Sequence, residues 1–283
     1  GTAHRFEKVI INRVEEQTLP NLRVSAAAAI AVGVNLVESV ASVGQDGTIL
    51  ADEVSITSLL DLNSDAEGDA LSITLLVPTA VGLALAGNYS QASHIAEIGD
   101  GATVNANSIT IEAVGESDVP FDYSALAASG AAGLGGNVAG SLAVNAIRNH
   151  TAVRIGEDAS VTTGGQLDLL VNQRRFGPLF VPAGTVRSEA IAGELALSPV
   201  AAAGAAVAGT VTVDGDLAEA SIGEGAFVSA PDGVEVRART NHDFDNLAIG
   251  GSLSLVFAAA VGAAFNFTDS EAKAQVDGTV LVA

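Results

Sequence analysis

Acidic residues recur in short glycine-containing turns, and carboxylates are the ligands that calcium prefers. The candidate ligands are Asp46, Asp100, Asp158, Glu224 and Asp277. A stack of such turns along one edge of a repetitive fold would present the several oxygens that Ca²⁺ requires. The calcium repeat motif Gly-Gly-x-Gly-x-Asp does not occur in the sequence. The same residues therefore also fit ordinary solvated turns, because Asp and Gly both tolerate positive φ.

Three Asn-x-Ser/Thr sequons have the pattern of N-glycosylation acceptors. They begin at Asn88, Asn149 and Asn266, each shortly before a repeated sequence phrase. The recurrence predicts a shared exposed turn that carries a glycan. Polar residues at strand ends are the alternative interpretation.

The four histidines, His4, His94, His150 and His242, are widely separated in the sequence. A zinc site needs three or four converging ligands. His94 and His150 precede matching Ile-Gly pairs, so we expect them to stack, either as ligands or as a polar ladder facing solvent. Two oxygen-rich segments, Asp61–Asp69 and Asn241–Asn246, are interpreted as solvated loops.

Enzymatic chemistry has little support in the sequence, and no catalytic residue or cofactor is predicted. The carboxylates are scattered, and no nucleophile, phosphate-binding or dinucleotide motif appears in the required context. A carbohydrate-active β-helix enzyme with clustered acids in a groove stays an alternative.

Composition narrows the possible partners. The chain has 33 acidic and 12 basic residues, a net charge of −21, and no Cys or Met. Nucleic acid is excluded as a partner because phosphate binding needs basic patches.

The lack of Met indicates a processed chain or a piece of a longer one. No transmembrane segment is predicted, since the uncharged run Leu247–Phe267 matches apolar runs at equivalent points of the other repeats.

One phrase of the form small-x-Ile-Gly-acid-Gly-Ala-x-Val occurs from Ala96 and again from Ala220, and variants of it recur through the chain. Its positions are marked by Gly44, Gly99, Gly156, Gly223 and, in a shortened copy, Asp277, so that one module spans 54–67 residues. The predicted single elongated domain has five modules, at approximately 1–70, 71–125, 126–184, 185–246 and 247–283.

The modules predict an all-β fold, a parallel β-solenoid or β-helix. Each phrase alternates with a period of two and is rich in Val, Ile and Thr, which suits strands. Stacked modules bury together what one module cannot bury alone. Typical strand lengths suggest two or three coils per module, each of about 20–25 residues. We expect Ala, Gly and Val to point inward, and Thr, Ser, Asn, Asp and Glu to face solvent.

The repeated frame resembles repeats of bacterial filamentous adhesins, the leukotoxin-type and haemagglutinin-like surface proteins. The resemblance rests on Ile155-Gly156, Ala159 and Val161 and on Ile222-Gly223, with their counterparts along the chain. It implies a long, rod-like, secreted or surface-anchored structural protein at a microbial cell surface, with an extracellular location.

The partners expected of such a rod-like solenoid are further copies of the chain, or adjoining repeats, stacked end to end. Surface glycans and host or neighbouring cells are further candidates. The alternatives are the carbohydrate-active enzyme and a calcium-dependent binding module.

Overall fold

A computed structural model of the chain describes residues 17–19, 24–74, 78–114, 121–172, 184–198, 202–240 and 242–282. All regular secondary structure in these residues is β-strand, and nearly all strand pairing is parallel. The predicted fold class, an all-β parallel β-solenoid, is confirmed. In chain order the strands are β1 (Gln17–Leu19), β2 (Val24–Val43), β3 (Thr48–Leu59), β4 (Leu62–Ile73), β5 (Thr79–Ile98), β6 (Thr103–Val114), β7 (Phe121–Gly133), β8 (Gly136–Ile155), β9 (Ser160–Thr163), β10 (Leu167–Val171), β11 (Gly184–Ala196), β12 (Ala203–Asp214), β13 (Leu217–Ile222), β14 (Phe227–Ser229), β15 (Val234–Arg237), β16 (His242–Ser254), β17 (Phe257–Thr268), β18 (Glu271–Val276) and β19 (Thr279–Leu281).

The described strands form three sheets that run along the solenoid. Sheet A contains β2, β5, β8, β12 with β13, and β17 with β18; β1 pairs antiparallel with β2 at its edge. Sheet B contains β3, β6, β9 with β10, β14 with β15, and β19. Sheet C contains β4, β7, β11 and β16. Each coil visits the sheets in the order A, B, C.

Each module forms one coil, so the estimate of two or three coils per module is wrong. The pairing steps from Val24 to Thr79 and from Ala80 to Asn137 match the spacing of the sequence modules. The sheet A strand alone is 20 residues long. The strand alternation continues through the polar stretch that separates the apolar run from the phrase, and the chain makes no corner there.

Two interiors of different composition lie against sheet A. Its second half packs on sheet B through larger side chains such as Ile98, Ile111 and Leu169. Its first half packs on sheet C through a cluster of alanines, among them Ala84 and Ala127, with a smaller cluster around Tyr123 and Val186 beside it. The solenoid is therefore a two-layered structure, with sheet A on one side and sheets B and C on the other.

Sheets A and C approach so closely that several positions accept only glycine. A Cβ on Gly68 would lie 2.7 Å from the carbonyl oxygen of Leu85. A Cβ on Gly82 would clash with the carbonyl oxygen of Gly130. Neither glycine has positive φ, so the requirement is one of space between the layers.

The two segments interpreted as solvated loops contribute to strands instead: residues 242–246 begin β16, and Asn241 lies outside the described residues. Segment Asp61–Asp69 is not a solvated loop, because nearly all of it lies in β4, where Asp65, Glu67 and Asp69 point outward from alternate positions. The uncharged run Leu247–Phe267 forms β16 and β17, and no helix among the described residues is long and apolar enough to cross a membrane.

Candidate functional site

A ladder of hydrogen-bonded polar side chains runs between sheets A and C, inside the solenoid. Ser64 donates from Oγ to Oδ1 of Asn88 at 3.0 Å, and Asn88 donates from Nδ2 to Oδ1 of Asn145, also at 3.0 Å. Asn145 donates to Oγ of Ser188 at 2.9 Å, and that hydroxyl lies 2.9 Å from Oγ1 of Thr212. Asn246 and Asn266 extend the ladder into the last coil. These contacts satisfy the polar groups that the interior would otherwise leave without partners.

Two of the predicted glycosylation sites lie in the interior. Asn88 is 3% exposed and Asn149 is 4% exposed. Asn149 donates from Nδ2 to the hydroxyl of Tyr123 at 3.2 Å. A glycan on either nitrogen would displace interior hydrogen bonds, so the folded chain has no room for it. Asn266 occupies the same column as Asn88 but is exposed, because its coil has no sheet C strand covering it among the described residues.

A compact cluster of ionisable side chains forms where β12, β13 and β16 meet. Nδ1 of His242 lies 3.3 Å from Oδ2 of Asp214 and 3.4 Å from Oδ2 of Asp216. Ser270 donates to Oδ2 of Asp214 at 2.7 Å, and the backbone N–H of Asn149 donates to Oδ1 of Asp216 at 2.9 Å. The side chains of His242 and Asp214 are each only 3% exposed.

Burial and mutual charge shift all three pKa values in this cluster. Burial raises the pKa of Asp216 to about 6, and the nearby Asp214 adds to the rise while His242 opposes it. Burial also acts to raise the pKa of Asp214, but the hydrogen bond and charge of His242 and the Ser270 hydroxyl hold it below its usual range. Burial acts to lower the pKa of His242, and the two carboxylates outweigh it and raise that pKa.

Chemically, the cluster offers the nitrogen and oxygen donors that divalent transition ions bind. Its three ligand atoms lie within 4.8 Å of one another, and among the described residues this is the one such group. The same atoms already hydrogen-bond to one another, so the cluster is also a satisfied set of interior contacts. The sequence prediction missed it because 28 residues separate Asp214 from His242. The one available signal was an acidic pair, Asp214 and Asp216, after a long uncharged run.

The predicted calcium ligands lie at the corner between sheets A and B, and all five are exposed. The backbone N–H of Asp46 bonds to the carbonyl of Asp100, and Asp158 bonds likewise to Glu224. Asp46 and Asp158 have φ of 56° and 55°, as turn residues do. Asp100 accepts a hydrogen bond from the backbone N–H of Glu157 at 2.9 Å. Among the described residues these carboxylates, which include Asp277, form no group of three close enough to share an ion.

The predicted stacking of His94 and His150 is wrong by one residue. His94 pairs with Thr151, and His150 pairs with Ser93, so the two imidazoles lie on opposite faces of sheet A. His94 points inward and is 1% exposed, with Nε2 2.5 Å from the carbonyl oxygen of Ser58. Burial lowers the pKa of His94 to about 4, opposed by that backbone hydrogen bond. His4 lies outside the described residues.

Comparison with protein-family models, with curated proteins and with solved structures finds no match to this chain. The resemblance to filamentous adhesin repeats therefore stays a prediction from the sequence.

Proposed function

We propose that the chain is a structural β-solenoid of a microbial cell surface, part of an extracellular rod, stalk or filament that spaces or adheres. The observation that carries the proposal is the unbroken parallel register of sheet A. Of the 20 residues of β2, all but one begin a column of paired residues that continues through β5 and then β8. A fold that repeats one coil along an axis has the quasi-one-dimensional architecture of solenoid proteins.

The open strand edges support stacking as the mode of assembly. Among the described residues, β17 pairs only with β12, and β16 pairs only with β11. Unpaired strand edges are templates for pairing with a further strand. The matching partner is another coil, from adjoining repeats or from a second copy stacked end to end.

The enzyme alternative gains no support from the ionisable cluster. The side chains of Asp214 and His242 are buried between the layers, where a polysaccharide has no access. A groove that exposes converging acids would be needed, and the acidic turns instead form an exposed corner.

A calcium-binding module stays the second alternative because of that acidic corner. Its test is the melting temperature of the chain with and without millimolar Ca²⁺, with Mg²⁺ as the comparison ion. A rise specific to Ca²⁺ that Asp100→Asn removes would favour the module, and an unchanged melting temperature would count against it.

The structural proposal is tested by immunogold electron microscopy of the source cells, with antibodies raised against the purified chain. We expect gold particles along surface fibres, and loss of both fibres and label when the coding sequence is deleted. Label confined to the cell interior, or fibres that persist after deletion, would contradict the proposal.

A further inference from the structure

The outer surface of sheet A carries an unusual set of residues over its first half. There the inward positions are occupied by Ala, Gly, Ser, Asn and Thr, and the larger apolar side chains point outward. Five outward positions on each of five strands form a continuous face without a single charged residue. This apolar face consists of Ala26, Ala28, Ile30, Val32, Val34, Val81, Leu83, Leu85, Gly87, Tyr89, Val138, Gly140, Leu142, Val144, Ala146, Ala205, Val207, Gly209, Val211, Val213, Ala259, Val261, Ala263, Phe265 and Phe267.

Many of these side chains are exposed to solvent. Leu83 is 49% exposed, Leu142 is 40% exposed and Val207 is 54% exposed. From strand spacing and rise, five strands of ten residues cover about 800 Å². Soluble monomers rarely expose contiguous apolar patches beyond about 300–600 Å². The face therefore marks an interaction surface.

Charged residues border the apolar face along the strands. In the second half of sheet A, successive outward rows contain Arg148, then Glu38, His150 and Glu271, then Glu219 and Lys273, then Glu97 and Arg154. The net charge of −21 thus lies on the rest of the molecule.

We propose that the apolar face binds the same face of a second copy of this chain. Its area of about 800 Å² equals what each partner contributes to a standard protein–protein interface. A twofold contact places the same patch on both subunits, so the face must complement itself. A face that carries no charge meets that condition, because no ionised group is left without a counterpart.

Charge favours a protein partner of this kind over a lipid surface. Two copies in face-to-face contact keep their acidic surfaces in solvent, whereas an acidic chain is repelled by anionic lipid headgroups. Sheets that pack face to face interdigitate across about 10 Å, which the medium-sized Val and Leu side chains can fill. The contact is lateral to the coil stack, so it goes beyond end-to-end stacking and does not depend on it.

The test is sedimentation velocity of the whole chain across a concentration series, with a charge placed at the centre of the face. Leu142 occupies the middle row of the middle strand, and Leu142→Glu should weaken dimerisation by about 100-fold or more because it buries an unpaired carboxylate. The matched control is Leu50→Glu, since Leu50 is 82% exposed on sheet B and should leave dimerisation unchanged. Leu83→Glu repeats the test one strand away, and circular dichroism checks that each variant is folded.

Added salt and lipid vesicles distinguish the remaining explanations for the apolar face. Added NaCl should strengthen the dimer, since screening reduces repulsion between two copies of charge −21 while the face itself carries no ion pair. A wild-type chain that stays monomeric would overturn the proposal. A monomer that co-floats with neutral phosphatidylcholine vesicles would assign the face to a membrane instead. Equal dimerisation of the Leu142→Glu and wild-type chains would place the contact elsewhere and also overturn it.

Discussion

Asn88 and Asn145 are 57 residues apart in sequence, yet they hydrogen-bond directly from one coil to the next, Nδ2 to Oδ1 at 3.0 Å. Both lie inside the solenoid, where Asn145 is 0% exposed. Asn145 also donates to the carbonyl oxygen of Arg187 on sheet C at 2.8 Å. One amide group thus joins neighbouring coils and links the two layers, which fixes the register in both directions.

Replacement of Asn145 tests the polar ladder. Asn145→Ala removes the buried hydrogen bonds that its side chain makes with Asn88, Arg187 and Ser188, which should lower the free energy of unfolding by about 2–4 kcal/mol. The matched control is Asn105→Ala, an exposed residue on the outer side of β6, with an expected change within about 0.5 kcal/mol. Urea unfolding measures both, and equal effects would contradict a structural role for the ladder.

Enlargement of Gly82 tests the close approach of sheets A and C. Gly82→Ala places a methyl group against the backbone of Gly130 and should destabilise the fold by about 1–3 kcal/mol. Gly193→Ala is the control, because a Cβ there meets no atom within 4 Å. It should be neutral or stabilising by up to about 1 kcal/mol, since alanine restricts the unfolded chain. If Gly82→Ala melts at the wild-type temperature, the layers are not in contact at this point.

Because His94 is buried, we expect the free energy of unfolding to fall in acid. Its pKa is 6.5 in an ordinary setting and about 4 in the fold. Between these values the unfolded chain takes up a proton that the folded chain does not. The contribution is therefore complete above pH 6.5 and is lost as the pH falls towards 4, by about 3 kcal/mol in all. The nearby charge of Asp61 acts in the opposite direction.

The measurement is the free energy of unfolding in urea at pH 7.5, 6 and 5 for the wild type and for His94→Gln. The glutamine amide can donate to the Ser58 carbonyl but cannot ionise. Its pH dependence should be shallower than that of the wild type over this range. Identical pH dependence in the two chains would show that His94 does not titrate as its burial requires.

The ionisable cluster predicts a large cost for removal of its imidazole. His242→Ala leaves Asp214 and Asp216 buried without the group that lies between them, which should destabilise the fold by about 3–5 kcal/mol. The matched control is His150→Ala, on the outer face of sheet A, where its nearest carboxylate, that of Glu219, is 3.9 Å away. The control should cost less than about 1 kcal/mol. Similar losses in both variants would mean that the cluster contributes no special stability.

The solenoid class could be predicted from sequence because the repeated phrase specifies the same turn in each coil. The turns at Asp46 and Asp158 lie where the Gly and Asp pattern places them. The coil count could not be predicted in the same way. The polar residues around Asn88 indicate a corner when they are read alone, and only the facing layer shows that they continue a strand.

The direction in which the side chains point was also predicted wrongly, and the error has a physical cause. The sequence pattern predicts that polar residues face solvent, but the inward column holds Asn88 and Asn145 while Leu83 and Leu142 face outward. Over the first half of sheet A, the inward positions hold small residues or hydrogen-bonded polar ones, because the close approach of sheet C leaves little volume there for a side chain such as Leu. Alternation of residue types along a strand shows that the strand has two different faces. Which face is buried depends on the layer that covers it.

The breadth of the coil has a mechanical consequence. One coil adds about 4.8 Å to the height of the solenoid, whatever the length of chain it contains. The first coil offers strands of 20, 12 and 12 residues for bonding to its neighbour. Tension along the axis would load these bonds at the same time, whereas a pull on one chain end would open them in succession. The architecture therefore gives a small length for the number of residues used and a high resistance to tension along the axis.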